Sequence, residues 1–186
     1  MPPTSDLATD RASPCRWNDG HVDAGQPVPA EAEPRWLEGI EAQAWLRLIG
    51  VIIRLPAALD TQLQRDVGLS HFEYTVMVNL SNAPGRVLRM SQLAAQCHSS
   101  LSRLSHVVAR LERRGWLRRD PCPDDGRATL ATLTDAGFAK LAAAAPGHVE
   151  AVRSFVIDAL DPEQLRALTT IGDTILARLD GDTERR

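Results

Sequence analysis

Cysteine is scarce in this chain of 186 residues, which has only Cys15, Cys97 and Cys122. An odd number without motif spacing excludes a disulfide framework and points to a reducing compartment. Aromatic residues make up only 4% of the sequence. Ala and Leu dominate instead, a balance that favours helices over strands. The chain does not open with a basic start followed by an apolar run, so no signal peptide is read there. The longest apolar stretch, Leu48 to Ile53, is far shorter than the ~20 residues of a membrane span. A cytoplasmic protein with no membrane partner is expected. Enzyme signatures are missing as well: there is no G-x-S-x-G, P-loop, dinucleotide fingerprint or H-E-x-x-H. His71, Cys97, His98 and His148 show no zinc-type spacing, so neither a metal nor a cofactor is expected.

The net charge of −3 is small but uneven. Between Arg89 and Arg127 eight arginines face four acids, a local balance of +4 against −7 for the remainder. A basic patch on an acidic body is the electrostatic footprint of a polyanion-binding protein.

At the centre of that patch lies Ser100 to Gly115, SLSRLSHVVARLERRG. Leu101, Leu104, Val107, Val108 and Leu111 recur at three- and four-residue steps, one buried stripe along a helix. Ser102, Arg103, Ser105, His106, Arg110 and Arg113 occupy the other face, which is donor-rich and free of acids until Glu112. Ser100 suits the N-cap and Gly115 the C′ position. A helix of this size and chemistry fits the DNA major groove.

The flanking segments give the helix a context. Residues 1–33 hold five prolines and no periodicity, and a disordered tail is expected. From Pro34 an apolar stripe through Leu37, Ile40, Ala44, Leu48, Ile52, Leu55, Leu59 and Leu63 predicts a long helix, kinked or split at Pro56. Ser70-His-Phe-Glu73 reads as a capping box opening a second helix, which ends at Asn82-Ala-Pro-Gly85. A short helix over Met90 to Cys97, a brief turn and the Ser100 helix form a helix-turn-helix. Two short strands, Trp116–Arg119 and Ala128–Leu133, flank a Pro/Gly/Asp-rich tip. There Asp125 is placed to hold the Arg127 side chain by a charge-assisted hydrogen bond, aiming it at the minor groove. Thr134 caps a helix through Phe155 and Val156, interrupted at Pro146-Gly147. Asp161-Pro-Glu-Gln164 starts a last helix ending near Leu179, with a frayed tail from Asp180.

This order resembles the MarR family of winged helix-turn-helix regulators. The match is carried by Met90-Ser-Gln-Leu-Ala-Ala, Leu104 to Leu111 with Glu112-Arg-Arg-Gly115, Asp124-Asp-Gly-Arg-Ala128, and Leu133-Thr-Asp-Ala-Gly137. It spans roughly residues 38–179. The resemblance implies a mainly α, winged helix-turn-helix homodimer, with dimerisation helices at 34–68 and 135–180 and a DNA-binding lobe at 69–134. It implies a repressor on a pseudo-palindromic double-stranded operator. Arg89, Ser91, Ser100, Ser102, Arg103, Ser105, His106, Arg110 and Arg127 then fall at DNA contacts, and Asp125 at the wing brace. It further implies a crevice for a small aromatic or phenolic ligand, for which Trp45, Leu48, His71 and Tyr74 are the lining residues expected here.

Two alternatives stay open at this stage. One is a dimer of the same fold that binds a protein partner rather than DNA. The other is a thiol switch through Cys122, expected to be exposed at the wing tip, or Cys97, expected in the core.

Overall fold

Helix α1 spans Gly39–Val67. It begins after Pro34 because Glu38 is extended (φ −128°, ψ 157°) and serves as its N-cap. It passes unbroken through Pro56, not split there, since a proline forfeits one i→i−4 bond and its neighbours hold the turns. Gly68 ends it in the left-handed region at φ 66°, where its N–H reaches the Gln64 carbonyl at 3.1 Å, the αL stop. The computed structural model describes residues 34–123 and 125–183; the expected tail with Cys15, and Asp124, lie outside the described residues.

By length and composition α1 is apolar enough to cross a membrane, contrary to the expectation drawn from its longest uninterrupted run. Arg47 and Arg54, one heptad apart, nevertheless charge one side of it. An arginine at a bilayer centre costs about 2.5–3.5 kcal/mol. The exposed Trp45, Leu48 and Ile52 form the kind of stripe that another helix covers.

Helix α2, His71–Asn82, opens with the full capping box: Ser70 Oγ accepts from Glu73 N–H and Glu73 Oε2 accepts from Ser70 N–H. A 3-10 turn at Pro84–Arg86 leads to β1, Val87–Arg89. The sequence does not show this third strand, which is too short for alternation. Helix α3, Met90–Gln96, and α4, Leu101–Arg113, follow. Strands β2, Leu117–Cys122, and β3, Asp125–Leu133, are longer than expected and pair antiparallel in the order β1-β3-β2. Pro121 is tolerated because β2 is an edge strand.

Helix α5, Asp135–Val152, starts at the Thr134 cap and continues through Pro146 without a break. It passes into a π-helical turn, Arg153–Ile157, which holds Phe155 and Val156. Asp161 caps α6, Pro162–Thr183, which runs past the expected fraying point. The core is drawn from the α1–α2 corner and the lobe that follows: Leu63, Leu69, Val76, Met77, Leu80, Leu93, Leu104, Val108 and Leu111 are fully buried. It fixes α4 against α2 and α3 and thereby sets which side of α4 faces outward.

Candidate nucleic-acid interface

Helix α4 is capped as its sequence predicts. Ser100 Oγ accepts from Arg103 N–H at 3.2 Å, and Gly115 takes φ 74° at C′. Leu104, Val107, Val108 and Leu111 are buried, but Leu101 is half exposed. It sits in the first turn, beyond the reach of the core, and lines a groove instead. Ser102, Arg103 and His106 are exposed on the outer face and Ser105 is half-buried. The Ser100 oxygen is committed to the cap, leaving its hydroxyl as a donor.

Between α4, the start of α3 and the wing lies a concave groove of about 330 Å³. It brings together Arg89, Ser91, Ser105, Asp125 and Arg127 from the expected site, and adds Arg119. The sequence does not mark Arg119 as a groove residue, since it reads as an ordinary strand residue. Its role depends on Glu112, which accepts from Arg119 Nε at 2.9 Å and from Arg119 N–H at 3.1 Å. These bonds, led by the Arg119 side chain, hold the Glu112 carboxyl below its ordinary range, although its small burial opposes this. They also tie β2 to the last turn of α4.

The wing brace works differently from the expectation. Asp125 Oδ1 accepts from the backbone N–H of Arg127 at 3.1 Å, and Oδ2 lies 3.8 Å from Arg89 Nη1. Asp125 thus shapes the turn and links it to β1, while the Arg127 side chain is exposed. An acid two residues before an arginine reaches its N–H more readily than its guanidinium.

Arg110, expected among the DNA contacts, also has a partner within the chain. Its Nε donates to Glu73 Oε1 at 2.6 Å, and Arg114 Nη1 approaches the same oxygen at 3.9 Å. Arg114 also donates to the Gly68 carbonyl at 3.1 Å. Glu73 is only 2% exposed, so Arg110 is its charge partner before it is anything else. A sequence pattern shows each helix face separately and not which faces meet.

Nor does one chain assemble the expected crevice. Tyr74 is buried, with His148 of α5 at 4.4 Å between ring centroids and His71 at 5.8 Å from His148. Burial lowers the proton affinity of both histidines, and each feels a charge as well: Asp60 opposes the effect at His71, and His71 adds to it at His148. His71 N–H donates to Asp60 Oδ1 at 2.7 Å. Trp45 and Leu48 sit 15 and 12 residues before Asp60, roughly 22 and 18 Å away along the helix. Cys122, expected at an exposed tip, is buried, because the register shift after Pro121 turns it inward. Cys97 is half-buried beside Asn79, and burial raises its thiol above the ordinary value, which disfavours the reactive thiolate.

A capped, donor-faced helix behind a short helix and tight turn, flanked by a three-stranded wing, defines a winged helix-turn-helix protein. The MarR family model matches residues 69–129. The regulator PecS of Dickeya dadantii is 32% identical over 128 residues, covering 65% of this chain and 76% of PecS. Sco3205, a MarR family regulator of Streptomyces coelicolor solved in complex with DNA, is 46% identical. That match covers 78% of this chain and 91% of Sco3205, with a TM-score of 0.74. AbsC from the same organism is 38% identical over 80% of this chain and 99% of its own, with a TM-score of 0.75. The chain belongs to the MarR family.

Proposed function

We propose that this protein is a cytoplasmic, sequence-specific double-stranded DNA-binding regulator that acts as a homodimer. The groove carrying Arg89, Ser91, Ser105, Arg119 and Arg127, continuous with the exposed face of α4, carries this reading. The cationic groove walls suit phosphates, which set register, and α4 suits base edges. Sco3205, crystallised with DNA, supports the reading. Residues 69–134 serve as the DNA-binding lobe and 34–68 with 135–180 as the dimerisation helices. The exposed apolar residues Trp45, Leu48 and Ile52 of α1, and Leu168, Ile171 and Ile175 of α6, favour a covering second copy. A two-fold dimer matches a pseudo-palindrome with half-sites about one helical turn apart. A dimer seated over a promoter occludes it, so the sign of regulation is repression.

The test is titration of its own upstream intergenic DNA against scrambled DNA over a range of salt. Tighter binding to the upstream DNA, with log affinity falling linearly in log salt, is the expected result. Equal weak binding to both, with no salt-resistant component, sinks the upstream operator. Arg127→Ala should weaken the specific complex about ten- to a hundredfold, the effect of removing one groove-reading arginine from each protomer, with the dimer intact by sedimentation. Unchanged affinity would remove the wing from the mechanism.

A small aromatic or phenolic effector that relieves repression belongs to the same reading. The His71–Tyr74–His148 ring cluster favours that chemistry. The probe is sodium salicylate. A complex that withstands millimolar salicylate would argue against this effector class.

A further inference from the structure

The first turn of α2 touches α4 at two residues one heptad apart. Glu73 takes Arg110, as described. Its neighbour Phe72 takes Arg103: the guanidinium carbon lies 4.4 Å from the Phe72 ring centroid. Phe72 is half-buried and packs against the core, so the ring is a fixed floor beneath an exposed arginine. Among the described residues no carboxylate pairs with Arg103.

A guanidinium offers two kinds of surface. Its flat faces stack on aromatic rings, while its five N–H donors point outward in the plane. Bidentate reading of a guanine uses two of those in-plane donors. A guanidinium that meets the Phe72 ring with a flat face keeps that reading edge free. Such stacking also restricts in advance the rotamers that an untethered arginine would lose only on binding.

We propose that Phe72 is a positioning residue that determines specificity: it holds Arg103 flat so that its edge meets one base pair in each half-site. Phe72 lies on α2, outside the helix-turn-helix, and reads no base itself. The inference rests on the DNA-binding reading above.

The full-length protein first selects from a pool of randomised duplexes about three helical turns long. The enriched sequence, and versions of it changed at single base pairs, are then the probes. Wild type, Phe72→Leu, Phe72→Tyr and Arg103→Ala are titrated against each, with thermal melts as the fold control. Wild type should discriminate about ten- to a hundredfold at the base pair that Arg103 meets, and Arg103→Ala should erase that preference. Phe72→Leu should cut it about three- to tenfold at that base pair alone. Phe72→Tyr, which keeps the aromatic face, should retain it. In the Arg103→Ala background Phe72→Leu should change nothing further. If Phe72→Leu melts early, Phe72→Met removes the ring while keeping a flexible apolar side chain, and is read by the same criteria. Uniform weakening on every probe, or undiminished discrimination, overturns the proposal and leaves Phe72 as a core residue. A wild type that enriches no sequence overturns the DNA-binding reading itself, and this inference with it.

Discussion

Gly137→Ala is expected to lose about 3 kcal/mol of stability, the upper end of what overpacking costs. A Cβ at this position would lie 2.1 Å from the Trp116 carbonyl oxygen, 2.9 Å from its carbon and 2.8 Å from Leu133 Cδ1. The Leu133 methyl can swing away, but the Trp116 carbonyl is held. It accepts from Thr134 N–H and from Thr134 Oγ1, both at 3.1 Å. The single Thr134 hydroxyl proton is shared between that oxygen and the Gly115 carbonyl at 2.8 Å, while Oγ1 accepts from Gly137 N–H at 3.0 Å. Any shift that admits the methyl group must break this cluster, which joins the end of α4, the start of β2 and the cap of α5. For a chain of this size the melting temperature should fall by roughly 6–12 °C. An unchanged melt would mean that α5 slides freely along the wing, and the cluster would then not be a fixed joint. The glycine is required here for space, since its φ is not left-handed.

Glu73→Ala is the second large expected loss, about 2–3 kcal/mol. Breaking a buried ion pair costs ~3–5 kcal/mol. The figure is lower here because the Arg110 side chain is 44% exposed and can turn to water. The substitution also removes the reciprocal half of the α2 capping box. The effect has a pH signature. Burial pushes the Glu73 carboxyl up, but the Ser70 N–H, the Arg110 guanidinium and the Ser70 hydroxyl together outweigh it, and the net shift is downward. A carboxyl depressed in the folded state contributes fully above its unfolded value, about 4.3. That contribution is lost as pH falls through the lower folded value. Urea melts at pH 7 and below pH 4 should therefore show the wild type losing more stability on acidification than the variant. Parallel curves would remove Glu73 from the acid response.

Much of the lobe is legible in the sequence because local chemistry and burial agree there. Ser70, Ser100, Thr134 and Asp161 each accept the backbone N–H that their helix-cap position predicts. The stripe from Leu104 to Leu111 is buried as its spacing requires. The misreadings arise where a side chain's partner lies on another element. Arg110 reads as free until α2 brings Glu73 to it, and Asp125 serves a backbone N–H and β1 rather than the Arg127 guanidinium. Cys122 reads as exposed because a register shift has no sequence signature. Pro56 and Pro146 read as kinks or breaks, and neither breaks its helix. A proline's local cost is visible in the sequence; the packing that outweighs it is not.

Helix α6 carries a thermodynamic consequence. From Pro162 to Gly181 none of its residues is buried, and Leu168, Ile171 and Ile175 face outward. In proteins most of a helix's stability comes from a packed apolar face rather than from intrinsic propensity. On the dimer reading, the folding of α6 and the meeting of two chains are one equilibrium governed by mass action. Each tenfold dilution then removes about 1.4 kcal/mol per mole of dimer, and the melting temperature climbs with protein concentration. On that reading the number of copies in a cell becomes a stability variable, so expression level sets how much of α6 is folded as well as the amount of the regulator.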